Sequence, residues 1–263
     1  SRAAEKANII TLTHYHFDHH TTSYTDWFCN WSSEEVAKKI YEGKLVLVKS
    51  HRSMVNFSQR RRGWMFKKTG GSYAERLEIA DSKTFAFGNT MLKFSDPVFH
   101  GPENSELGWV LMITIEHNDE KVLFASDVQG PMYDPTLDMI LAEKPQLVMM
   151  GGPPTYLAGF RVKEEHIKQG MQNLENLVKK VPATILEHHT LRDENWRGLS
   201  QPIFDIALET GHKVVTAAEF AGEENNLLEF RRRQLFEMEP PSPEFEKWMK
   251  LPQPKRKLIR PPV

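Results

Sequence analysis

The chain has 263 residues, 40% hydrophobic and 26% charged, which is ordinary for a globular protein and ample for a packed core. A net charge of −1 gives no global pull toward nucleic acid or membrane, and the single cysteine, Cys29, excludes an intrachain disulfide. No apolar run approaches the roughly 20 residues of a membrane span and no signal peptide is read at the start, so the expectation is a cytoplasmic enzyme.

Residues 1–8 read as the end of a helix. Asn8 to Thr13 is an apolar run that reads as a short buried strand, and directly after it come His14, His16, Asp18, His19 and His20 within seven positions. Imidazoles and a carboxylate are ligands that suit zinc, iron or manganese, and strand ends are where binding loops gather in layered α/β folds. The bland alternative is a histidine-rich surface loop. Residues 32–42 predict a helix with serine caps and early acids, stopped by Gly43, and 44–49 predict a buried strand. Residues 53–68 mix apolar positions with Arg60, Arg61, Arg62, Lys67 and Lys68, predicting a helix with a basic face. That face is either solvated or an anion-attracting patch near a substrate mouth.

Residues 84–94 predict a hairpin turning at Gly88-Asn89, and His100 follows in a Gly/Pro loop. A second hairpin, 110–127, turns at Asn118-Asp119 and ends on Ser126-Asp127. A carboxylate at the end of an apolar strand is costly unless paired or metal-bound, although an Asp opening a turn is also reasonable there. A helix over 135–143, a buried strand over 146–150, a rigid Gly/Pro loop over 151–159 and an amphipathic helix over 162–180 come next. The strand 183–187 then delivers His188 and His189. The pleat of a strand lets only one of two successive side chains face a given point cleanly, so one of the two, His188 or His189, is the candidate. A helix over 201–210, a strand over 213–216 and a helix over 226–236 follow. The proline-dense tail from 240, with the basic run 255–260, reads as a wrapping or disordered extension. One domain over 1–239 with a 240–263 extension is the expected organisation.

The run His14-x-His16-x-Asp18-His19, followed in order by His100, Asp127 and His188, resembles the signature of the metallo-β-lactamase-fold hydrolases. It is similar above all to an archaeal group of predicted metallo-hydrolases that carries the doubled His19-His20 and His188-His189-x-x-Arg-Asp elements. The resemblance implies an α/β fold, a four-layer αββα sandwich, whose opening N-terminal strands are absent here and are expected on a separate segment of the same protein. It implies two divalent ions, zinc first with iron or manganese as alternatives. One would take His14, His16 and His100, the other Asp18, His19 and His188 (or His189), with Asp127 bridging. Asp18 would also orient the water or manage its proton, and His20 would support the ligands from behind.

The implied reaction is attack by a metal-bridging hydroxide on an ester-type bond. A phosphoester is the first expectation, in a small molecule, a nucleotide or RNA. A lactone, other carboxylic ester or β-lactam is the alternative, and an iron-dependent oxidoreductase is the second. Against the last, the diiron flavoprotein branch replaces the second histidine by glutamate, whereas this chain keeps His16. No membrane partner is expected, and self-association is left open.

Overall fold

Residues 2–262 are described by the computed structural model, and their contacts divide into two units, Ser1–Ala80 with Arg233–Val263 and Asp81–Arg232. The boundary falls inside the 1–239 stretch read as one domain, and the tail from 240 belongs to the first unit. The α/β class expected from the sequence is what both units show.

The first unit opens with α1 (Arg2–Lys6), β1 (Ile9–Leu12), α2 (Glu34–Tyr41), β2 (Leu45–Val48), α3 (Phe57–Lys68) and β3 (Arg76–Ile79). Its three strands form a parallel sheet in the order β1-β2-β3. β1 is less buried than its apolar sequence suggests, with only Leu12 fully covered. The start of α2 has the expected chemistry: the Ser33 hydroxyl accepts from the Val36 N–H, and Glu34 and Glu35 occupy the positive end of the helix. Asn56 caps α3 in the same way through the Gln59 N–H at 2.8 Å. Tyr15, Ile40, Tyr41, Val46 and Phe66 meet in one apolar cluster that anchors α2 and α3 to the sheet.

The second unit contains β4 (Thr84–Phe87), β5 (Thr90–Phe94), β6 (Val98–Phe99), β7 (Trp109–Val110), β8 (Ile113–His117), β9 (Glu120–Phe124), α4 (Asp134–Ala142), β10 (Leu147–Gly151), α5 (Glu164–Val178), β11 (Ala183–Glu187), α6 (Trp196–Leu199), α7 (Gln201–Thr210), β12 (Lys213–Thr216) and α8 (Ala217–Phe220). Seven strands form one sheet in the order β12-β11-β10-β9-β8-β5-β4, and β6 pairs with β7 apart from it. The four strands β9 to β12 run parallel, so their C-terminal ends lie along one edge of the sheet. The stripe expected on α5 faces this sheet: Leu174, Leu177 and Val178 pack with Leu123, Val148, Met150 and Leu186. Each such side chain contributes roughly 1.5–3 kcal/mol by leaving water.

The chain ends with α9 (Arg232–Met238) and, in the tail, α10 (Pro243–Met249) and α11 (Gln253–Leu258). The helix expected over 226–236 therefore begins later and ends later. The tail does wrap: the Trp27 N–H donates to the Lys257 carbonyl at 3.1 Å, and the buried Trp248 indole donates to the Ile259 carbonyl at 2.8 Å. Among the described residues no helix is long and apolar enough to cross a membrane.

Candidate metal-ligating clusters

In the first unit, β1 ends at Leu12 and the chain turns out of the sheet with His14 only two residues on. The His14 ring lies 4.8 Å from that of His16 and 4.5 Å from that of His19, centroid to centroid. Asp18 is the exposed member, its Oδ2 3.8 Å from His19 Nε2. The buried Thr13 hydroxyl meets His14 Nδ1 at 3.0 Å, which fixes the orientation of the ring. The motif thus folds into one knot of imidazoles and a carboxylate, not a surface tract.

His20 plays a different part. Its Nδ1 lies 2.9 Å from the His16 carbonyl, and its ring packs among Tyr15, Phe17 and Phe66. Burial lowers its pKa from 6.5 to about 4, so the ring stays neutral at physiological pH. It holds the backbone of the motif from behind.

In the second unit, parallel neighbours do the positioning. Asp127 follows β9 and His188 follows β11, on either side of β10, so both emerge at the same sheet edge. Asp127 stands three residues beyond the strand, in a turn that begins with Ser126 at φ 30°, so it does not itself end the strand as the hairpin reading had it. One of its carboxylate oxygens, Oδ2, is 3.1 Å from His100 Nε2; the other, Oδ1, is 3.7 Å from His188 Nε2 and 3.8 Å from His189 Nε2. His100 is held in its loop by its own N–H to the Gly108 carbonyl at 2.9 Å, with the Gln129 amide 3.5 Å from Nδ1.

The argument that only one of two successive histidines can face this point fails for a definite reason. His188 has φ 55°, in the left-handed region, which breaks the strand pleat and swings both imidazoles to the same carboxylate. His189 is held by a second loop. Its Nδ1 meets the Tyr156 hydroxyl at 3.1 Å, and Arg192 Nη1 donates to that hydroxyl at 3.3 Å. Burial lowers the His189 pKa to about 3, so its imidazole is neutral at pH 7.

The sequence does not single out Tyr156, although the rigid Gly/Pro loop that carries it is legible there. The side chains of Tyr156 and His189 are 33 positions apart, and only the pairing of β10 with β11 brings their loops together. A close backbone approach seals this corner: a Cβ on Gly151 would lie 3.0 Å from Asp127 Oδ1.

The donor set fits a divalent ion. Asp127, His188 and His189 offer one carboxylate oxygen and two ring nitrogens all within 4.8 Å of one another, and neutral imidazole with carboxylate suits zinc, iron or manganese.

No protein-family model matches the chain. It is 42% identical over 234 residues to a UPF0282 protein of Methanopyrus kandleri, covering 89% of this chain and 78% of that one. Among solved structures it resembles a mutant of the β-hydroxylase CmlA, with a TM-score of 0.50 and 15% identity, over 81% of this chain and 43% of that one. It also resembles the metallo-β-lactamase-fold protein YhfI of Bacillus subtilis, with a TM-score of 0.44 and 12% identity, over 81% of this chain and 76% of that one.

Proposed function

The chain belongs to the UPF0282 family of archaeal proteins, and on that footing we propose that it is a metal-dependent hydrolase acting on a phosphoester. The observation that carries the reading is Asp127, whose two carboxylate oxygens serve different partners, His100 on one side and His188 with His189 on the other. That is the arrangement a bridging carboxylate needs. The ligand set proposed is the one the resemblance implies: His14, His16 and His100 for one ion, Asp18, His19 and His188 or His189 for the other. Its support is that each unit gathers its own share of these residues into a cluster.

When bound, divalent ions on such ligands lower the pKa of water from about 15.7 to about 7 and polarise the bond under attack. The chain's own residues do the rest. Thr13 and Tyr156 hold His14 and His189 in fixed orientations, and Gln129 flanks His100. Asp18 would take up or hand on a proton, a role that its exposure beside His19 supports. Phosphoester is preferred over carboxylic ester or lactone because α3 carries five cationic side chains in the same unit as the His14–His19 motif.

The test is hydrolysis of an activated phosphodiester and a simple lactone in parallel, with metal content measured and His16→Ala as control. Phosphodiester turnover lost in the control is the expected result. Lactone turnover alone would redirect the reading to carboxylic esters, and protein that binds no divalent metal would refute the hydrolase reading.

A further inference from the structure

Helix α3 has no acidic residue between Phe57 and Lys68, and it is locked against the ligand-bearing motif. A Cβ on Gly63 would come within 2.6 Å of the Tyr15 ring and 2.5 Å of His51 Cβ, so only glycine lets the helix approach this closely. The approach fixes where the helix's cations stand relative to His14, His16 and Asp18, the neighbours of Tyr15.

On this helix opens a cavity of about 430 Å³ whose walls include Arg61, Arg62, Lys257, Ser58, Phe17 and Tyr24, with no carboxylate among them. The Arg62 guanidinium is held 4.4 Å above the Phe17 ring. Asp26, 4.0 Å from Lys257 Nζ, already accepts from the Phe28 and Cys29 N–H groups and from Asn30. Phe17 is also a wall of a second hollow, which contains Asp18, His19 and His20. Phe17 itself lies between two residues of the ligand motif.

We propose that this cavity binds a phosphate group, one that is carried by the substrate next to the phosphoester being cleaved. Two guanidinium forks match phosphate oxygens with paired N–H donors, and the Lys257 ammonium and the Ser58 and Tyr24 hydroxyls supply further donors. The cavity contains none of the candidate metal ligands, so the phosphate it holds is not the reacting one. The substrate class is therefore a phosphorylated phosphodiester, such as a nucleotide chain with a terminal phosphate. This specificity rests on the hydrolase reading above, whereas the binding of phosphate does not.

Two measurements separate them. In calorimetric titration with inorganic phosphate, the Arg61→Ala, Arg62→Ala double variant and, separately, Lys257→Ala are expected to bind at least about tenfold more weakly than the unaltered protein. Arg233→Ala, on α9, is expected to bind as the unaltered protein does. Melting curves establish that each variant is folded, and the Arg61→Lys, Arg62→Lys pair, which keeps the charge, provides a second version if the alanine pair is not. In turnover, a 5′-phosphorylated dinucleotide should show a KM at least about tenfold below that of the unphosphorylated one, a gap that closes in the arginine variants. Phosphate affinity unchanged in every variant overturns the proposal. Phosphate binding that depends on these residues, with no turnover of either dinucleotide, upholds the pocket and sinks the phosphoester reading alone.

Discussion

Gly152→Ala is a sharp test of how β10 and β11 build the second cluster. An added Cβ would lie 1.8 Å from Thr190 Oγ1 and 3.0 Å from Thr190 Cβ. Rotating Thr190 about χ1 removes the first clash but leaves the second, because Cβ does not move with χ1. Thr190 is buried, so relief must come from the backbone. Forcing such an overlap into a packed interior costs about 1–3 kcal/mol, which for a chain of this size lowers the melting temperature by roughly 2–12 °C. Thr190 follows His189 directly, so the same shift displaces the imidazole. On the proposed ligand set, a misplacement on the order of 1 Å would lower turnover about a hundredfold. The assay is a double-mutant cycle of melting curves with Thr190→Gly, which removes both offending atoms. Gly152→Ala should cost much less in the Thr190→Gly background than alone. A single variant melting within about 1 °C of the unaltered protein, or an equal loss in both backgrounds, would refute the reasoning.

Tyr156→Phe removes the hydroxyl that orients His189 and should weaken metal retention about tenfold, read as the chelator concentration needed to strip half the metal. Trp248→Ala should cost about 3–5 kcal/mol through its buried ring, seen as a lower denaturant midpoint, while Leu258→Ala, exposed on the same tail, should change little. For metal-stripped protein, His20 and His189 have folded pKa values of about 4 and about 3, below the unfolded value of 6.5. The unfolded chain therefore binds protons first on acidification. Stability from these groups is full above pH 6.5 and falls as the pH drops toward 3, and urea midpoints against pH should decline less steeply between 6.5 and 4 in His20→Gln, with the His189 part of the slope kept.

The parts legible in the sequence are those written in neighbouring residues. The capped start of α2, the Asn118-Asp119 turn between β8 and β9, and the imidazole knot at His14–His19 all follow from short-range spacing. β3 escaped notice because Arg76-Leu-Glu-Ile is a half-exposed strand at the edge of its sheet and has no run of buried positions. The tail helices were hidden by the prolines that begin them: Pro243 and Pro254 occupy the first helical turn, where a missing N–H does no harm, so proline density marked helix starts and not the absence of structure. The pairing of Tyr156 with His189, and the admission of both His188 and His189 to Asp127, depend on strand neighbours and on one left-handed residue. Neither leaves a periodic trace in the chain.

The first unit is discontinuous, built from two stretches separated by the whole of the second. During synthesis the contiguous unit, Asp81–Arg232, is delivered complete while the other is still missing its closing helices. The Trp27 amide then waits for the Lys257 carbonyl across some 230 residues of elongation, or more than about ten seconds at a ribosome's pace of 5–20 residues per second. The order of birth therefore favours a seven-stranded sheet that sets first and a histidine-rich motif whose surroundings are finished last.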